Sequence, residues 1–169
     1  MLSRGAVPLT PDHPFMDRLL AALASVYGDE LVSAALFGSV ARRTARDDSD
    51  LDLLLVVEGL PNGRRARLAT FRPVTELLHA PLGELARAGI ETEIMPILRT
   101  PAEIRVRTPL MLDLTEDAVL LVDRGDVIAT ALSDLRARLE QLGSKRIWDA
   151  EGWYWDLKPD YKRGEIVEI

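Results

Sequence analysis

Asp50 and Asp52 stand two residues apart at the mouth of the chain's most apolar run, Leu53-Leu54-Leu55-Val56-Val57. On a strand, residues two apart share a face, so both carboxylates point one way while Leu51 and Leu53 point the other. Parallel carboxylates a few ångströms apart repel, and one is pushed towards protonation unless a cation intervenes. Hard, oxygen-seeking magnesium suits such a pair, because it binds through one or two carboxylates plus substrate phosphates. Two such ions, about 3.5–4 Å apart, would activate an attacking hydroxyl and stabilise a leaving pyrophosphate.

Upstream, Gly38-Ser39 breaks the apolar run Leu31 to Phe37. Glycine lets the backbone pass very close to a ligand, and a helical turn starting there directs free N–H groups at a phosphate. The Ser39 hydroxyl adds a further donor. A third carboxylate is needed to complete a two-metal site, and "IETEIMPIL" supplies Glu91 and Glu93 on one face of a third apolar stretch. Glu93, three residues before Pro96, is preferred, with Glu91 as the alternative. Arginines cluster on both sides of the acids, as Arg42, Arg43 and Arg46 and as Arg64, Arg65 and Arg67. Either group reads as a solvated basic face or as a partner for phosphate.

"GSVAR", followed by "DLDLL" after the ten residues counted from Val40 to Ser49, resembles the signature of the polymerase-beta-like nucleotidyltransferases, in particular the minimal nucleotidyltransferase group. The match is strong over residues 37–57 and loose over 90–98. The resemblance implies that Gly38 and Ser39 hold nucleotide phosphates and that Asp50, Asp52 and a third acid hold magnesium, with manganese as an alternative. Arg42 falls on an arginine that often follows the Gly-Ser, and Ser49 on the serine preceding the acids; Arg43 joins them as a nucleotide-binding candidate. The third acid is a glutamate here, where aspartate is commoner in the superfamily.

Positioning these residues requires an α/β fold with a small mixed sheet and flanking helices. Residues 1–13, with two prolines and a glycine, read as a loose lead-in. Helical spacing of Phe15, Leu19, Leu20, Leu23 and Val26 predicts a helix over 14–27 ended by Gly28. Strands are expected at 31–37, 50–58, 90–98 and 118–122, and a brief helical turn at 40–43. Residues 64–88 read as helix divided by Pro73 and Pro81. Thr100-Pro101-Ala102-Glu103 has the form of a capping box with proline at the first helical position, with intermittent helix to 117. A last amphipathic helix is expected over 127–142, stopped by Gly143. The domain reading is a nucleotidyltransferase core over 1–125, then a helix and aromatic tail over 126–169. That tail holds Trp148, Trp153, Trp155, Tyr154 and Tyr161, and is expected to pack on the core or on a second subunit.

The 169 residues suit about one domain. The chain has no cysteine, which excludes disulfides and cysteine-ligated metals, and only two histidines, His13 and His79, in no ligand-like spacing. Its net charge of −6 argues against non-specific nucleic-acid binding. No apolar run is long enough to cross a membrane, no leader pattern is visible, and a cytoplasmic location is expected. The reaction the resemblance implies is transfer of a nucleoside monophosphate, AMP from ATP in the first instance, to an acceptor hydroxyl. The acceptor in related systems can be a protein. The second reading is an antitoxin-type binding module that neutralises a helical toxin by binding or by AMP addition, and a homo-oligomer is compatible with either.

Overall fold

The computed structural model describes residues 8–150 and 152–169. The expected lead-in over 1–13 therefore lies partly outside the described residues. Its described end is not loose, since Leu9 is buried in the core and the His13 Nδ1 accepts the Phe15 N–H at 3.1 Å.

Helix α1 (Phe15–Tyr27) runs into β1 (Leu31–Phe37), which a short turn of helix, α2 (Gly38–Ala41), terminates. Then come β2 (Leu51–Val57), α3 (Arg64–Arg87), β3 (Ile94–Arg99), α4 (Pro101–Ile104), α5 (Pro109–Asp117), β4 (Val119–Asp123) and α6 (Val127–Leu142). A hairpin of β5 (Lys145–Asp149) and β6 (Gly152–Asp156) follows. The main sheet has the order β3-β2-β1-β4. Its β1 pairs antiparallel with β2 and β4, and β2 pairs parallel with β3, so the sheet is mixed as expected.

Each face of this sheet has its own core. Leu51, Leu53, Leu55 and Val57 pack towards α1 and α3, whereas Ala35, Leu54 and Val56 pack towards α4, α5 and α6. All five residues from Leu53 to Val57 are at most 1% exposed, which is why that run shows no polar alternation. Asp52 shares the face of Leu54 and Val56 but lies at the strand's beginning, where cover from the helices stops.

Three expectations change. Helix α3 is continuous through Pro73 and Pro81. Phe71, Val74, Leu78 and Leu85 bury one stripe of it along its length, and the exposed Pro73 leaves the carbonyl it cannot serve on the solvent side. Strand β3 begins at Ile94 rather than at 90. The tail is a β-hairpin, an element the sequence reading did not foresee. The capping box is formed as expected, with Thr100 and Glu103 satisfying each other's backbone N–H groups.

Candidate functional site

The end of β1, the beginnings of β2, β3 and β4, and the end of α5 all meet at one edge of the main sheet, as the registers Phe37↔Asp52, Asp52↔Met95 and Leu36↔Val119 require. Gly38 turns the chain there with φ +70°. A Cβ on Gly38 would stand 3.0 Å from the Asp52 Cγ and nearer still to Oδ2. The carboxylate of Asp52 is thus backed directly against the Gly-Ser turn. The first N–H groups of α2 have no intrahelical acceptor, and they begin at that same point.

Asp50 lies one residue before β2 and is exposed, whereas Asp52 is half-buried. Burial pushes the Asp52 carboxyl up from its ordinary value, the neighbouring charge of Asp50 pushes it further, and Arg42 opposes both. Two hard oxygen donors on one strand face fit a divalent metal ion of the magnesium type.

The third-acid candidates sit on the lead-in to β3, and both are exposed. The Glu93 carbonyl accepts the Leu51 N–H at 2.8 Å, which continues the β2–β3 register and sets Glu93 beside Asp50. Glu91 lies further out, its N–H donating to the Asp47 carbonyl at 2.7 Å. Among the described residues, no three Asp, Glu, His or Cys side chains close tightly enough to hold a metal ion by themselves. Asp50 and Asp52 form a pair with Glu93 adjoining it, and in such sites substrate phosphates supply the remaining ligands.

Of the other candidates, Ser49 holds the loop that delivers Asp50: its Oγ accepts the Arg46 N–H at 2.8 Å and its carbonyl accepts the Thr92 hydroxyl at 2.8 Å. Arg43 adopts the left-handed conformation, φ +60°, and its guanidinium reaches Asp12 at 2.6 Å on the surface. Arg42 stays at the site, bonding Asp117 at the end of α5 with 3.0 Å between Nη1 and Oδ2. Arg46 pairs with Asp48 at 3.4 Å. From the second arginine group, Arg67 is taken by Glu103, at 2.7 and 3.0 Å, at the opposite end of β3. The concavity of about 760 Å³ between α4 and α6 contains none of the candidate residues; Asp50, exposed, and Asp52, half-buried, lie on the ledge where β2 begins.

Sequence reasoning missed Asp117, Asp113 and Arg146, which tie the hairpin to this edge. The Nε1 groups of Trp153 and Trp155 both donate to Asp113 Oδ1, at 2.8 and 3.0 Å. Their spacing of two residues was the legible signal, since a strand puts both indoles on one face.

Residues 16–120 match the model of the nucleotidyltransferase domain family. The chain belongs to that family. A relative from Methanocaldococcus jannaschii, provisionally named a protein adenylyltransferase, is 29% identical over 140 residues, covering 82% of this chain and 90% of its own. Among solved structures, a chain from a toxin–antitoxin crystallised with AMP-PNP aligns over 76% of this chain and 92% of its own, at 14% identity and a TM-score of 0.45. Another, from Shewanella oneidensis, aligns over 77% and 91%, at 10% identity and a TM-score of 0.45. Among the described residues, no helix is long and apolar enough to cross a membrane.

Proposed function

We propose that this nucleotidyltransferase moves AMP from ATP to a hydroxyl of a protein acceptor, releasing pyrophosphate. The observation that carries the reading is the juxtaposition at the sheet edge: the Asp52 carboxylate against Gly38, Asp50 one step outward, and Glu93 hydrogen-bonded alongside. The family supports nucleotidyl transfer. The name of the M. jannaschii relative supports adenylyl as the group and protein as the acceptor.

In this reading Asp50 and Asp52 hold magnesium or manganese, and Glu93 completes the set. The metal, when bound, supplies Lewis-acid polarisation of the phosphate and charge stabilisation for the leaving pyrophosphate. The chain's own residues do the rest. Gly38 lets the Asp52 carboxylate lie against the turn, and the N–H groups that open α2, with the Ser39 hydroxyl, donate to the triphosphate's oxygens. Arg42 meets triphosphate charge from the side of α5. Glu93 is exposed at the ledge, where it can take the acceptor hydroxyl's proton as that oxygen attacks the α-phosphorus. The α–β phosphoanhydride bond breaks as the new ester forms, and pyrophosphate leaves.

The test is incubation of the protein with α-labelled ATP, and in parallel with labelled GTP, CTP and UTP, with magnesium, alone and with a cell extract. Label fixed to a protein band, lost with Asp52→Asn, is the expected result. Label that appears only on nucleic acid or small molecules overturns the protein-acceptor assignment, and an equal preference for all four triphosphates overturns the choice of ATP.

A further inference from the structure

The hairpin lies beyond the residues that match the family, yet it reaches the ledge through one carboxylate. Arg146 on β5, its side chain only 8% exposed, grips Asp117 with both ends of its fork. The distances are 2.9 Å from Nη1 to Oδ1 and 2.8 Å from Nη2 to Oδ2. Arg42, from the end of α2, makes a single bond to the same Oδ2. Both guanidiniums lie against the Trp153 ring, with 4.3 Å from Arg146 and 5.0 Å from Arg42 to its centroid. Trp153 is itself pinned by Asp113. Among the described residues the buried Nε of Arg146 has no hydrogen-bond partner, so its polar attachment runs through Asp117.

One carboxylate is shared by two guanidiniums, while Asp113 and Glu116 add negative charge around Arg146 and Asp52 adds it around Arg42. Burial alone would raise the Asp117 carboxyl, but the bonds from Arg146 and then Arg42 outweigh it and hold the group below its ordinary value, so it stays ionised. Bidentate pairing is the stronger of the two geometries, and it assigns the Asp117 charge chiefly to Arg146. Arg42 is then held in place by a single bond to Asp117, with its charge turned to the ledge where Asp52 lies.

We propose that Arg146 is a positioning residue of the nucleotide site, compensating Asp117 so that Arg42 keeps its charge free for a triphosphate oxygen. This rests on the nucleotide-binding reading above. It makes the hairpin part of the site's electrostatics as well as of the packing.

The experiment is titration calorimetry with ATP and magnesium on the full chain, with circular dichroism confirming each variant's fold. Arg146→Met is expected to weaken binding about tenfold, within the range of contacting charge pairs, because Asp117 then claims Arg42. Arg146→Met combined with Asp117→Asn is expected to recover the affinity, since the charge at position 117 that would claim Arg42 is gone. Unchanged binding in Arg146→Met overturns the proposal, and so does a double variant as weak as the single, which would mark a purely structural role. Should Arg146→Met not fold, Asp117→Asn decides: binding as tight as wild type or tighter supports the proposal, and weaker binding overturns it. Failure of the underlying reading looks different. Wild-type protein that binds no triphosphate, or an Arg42→Met variant that binds as wild type does, removes the nucleotide role of Arg42 and the inference with it.

Discussion

Gly38 and Asp52 face each other so closely that no side chain fits between them: a methyl group on Gly38 would sit 3.0 Å from the Asp52 Cγ and 3.3 Å from its Cβ. The glycine also has φ +70°, a backbone state that other residues adopt at a cost. Gly38→Ala therefore combines strain with displacement of the carboxylate. It is expected to lower stability by about 1–3 kcal/mol, read by urea denaturation, and to weaken binding of ATP with magnesium. A variant with wild-type stability and binding would mean the contact is loose.

The ionised Asp52 is a burden on the protein when no cation is bound. Its folded value is raised above the ordinary 3.8 by burial and by Asp50. Stability linked to its proton is therefore fully present below 3.8 and lost as pH rises through the raised value. In chelator at pH 7.5, Asp52→Asn is expected to melt above wild type, with the gap closing at pH 3.5. ATP with magnesium should raise the melting point of wild type only, by preferential binding to the folded state. Thermal melts at the two pH values check this, and an Asp52→Asn variant that melts lower at pH 7.5 contradicts it.

Register distinguishes the two glutamates. Glu93 adjoins Asp50 through the Leu51 N–H, whereas Glu91 pairs back to Asp47. Glu93→Gln is expected to lower kcat by about a hundredfold or more, the scale of a lost general base, and Glu91→Gln to leave it within a fewfold. Initial rates of pyrophosphate release measure both, and the reverse order would move the role to Glu91.

Away from the ledge, Arg67 and the Thr100 N–H hold the Glu103 carboxyl down at about 2, from 4.5. A depressed carboxyl contributes stability above its unfolded value, and that contribution is lost as pH falls through the folded one. Because the Glu103 side chain is 36% exposed, solvent screening reduces the contribution to about 1 kcal/mol. Glu103→Gln should lower stability by that amount at pH 7 and progressively less as the pH falls from 4.5 towards 2, followed by chemical denaturation at each pH.

Much of this was legible in the sequence because the relevant signals are local. The unbroken apolar run from Leu53 to Val57 announced an interior strand, and Asp50 and Asp52 at its mouth marked the candidate site. Gly28, Gly143 and the Thr100–Glu103 box marked helix ends through short-range backbone geometry. Long-range pairing left no such trace. That Arg42 and Arg146 converge on Asp117 depends on α2, α5 and β5 arriving at one sheet edge, which no spacing encodes. Proline was misleading in α3, because burial along Phe71, Val74, Leu78 and Leu85 outweighed the two missing hydrogen bonds. The hairpin was hidden by its composition: tryptophans at 153 and 155 were read as an aromatic cluster when their alternation was the strand signal.

The most direct measurement is calorimetric titration of ATP with magnesium into Asp50→Asn/Asp52→Asn, beside wild type. The substitution removes charge while nearly preserving volume, so the fold should persist by circular dichroism. Loss of magnesium-dependent binding in a folded variant is the expected result. Binding as tight as wild type, with magnesium still required, would contradict the assignment of these carboxylates to the metal and nucleotide site.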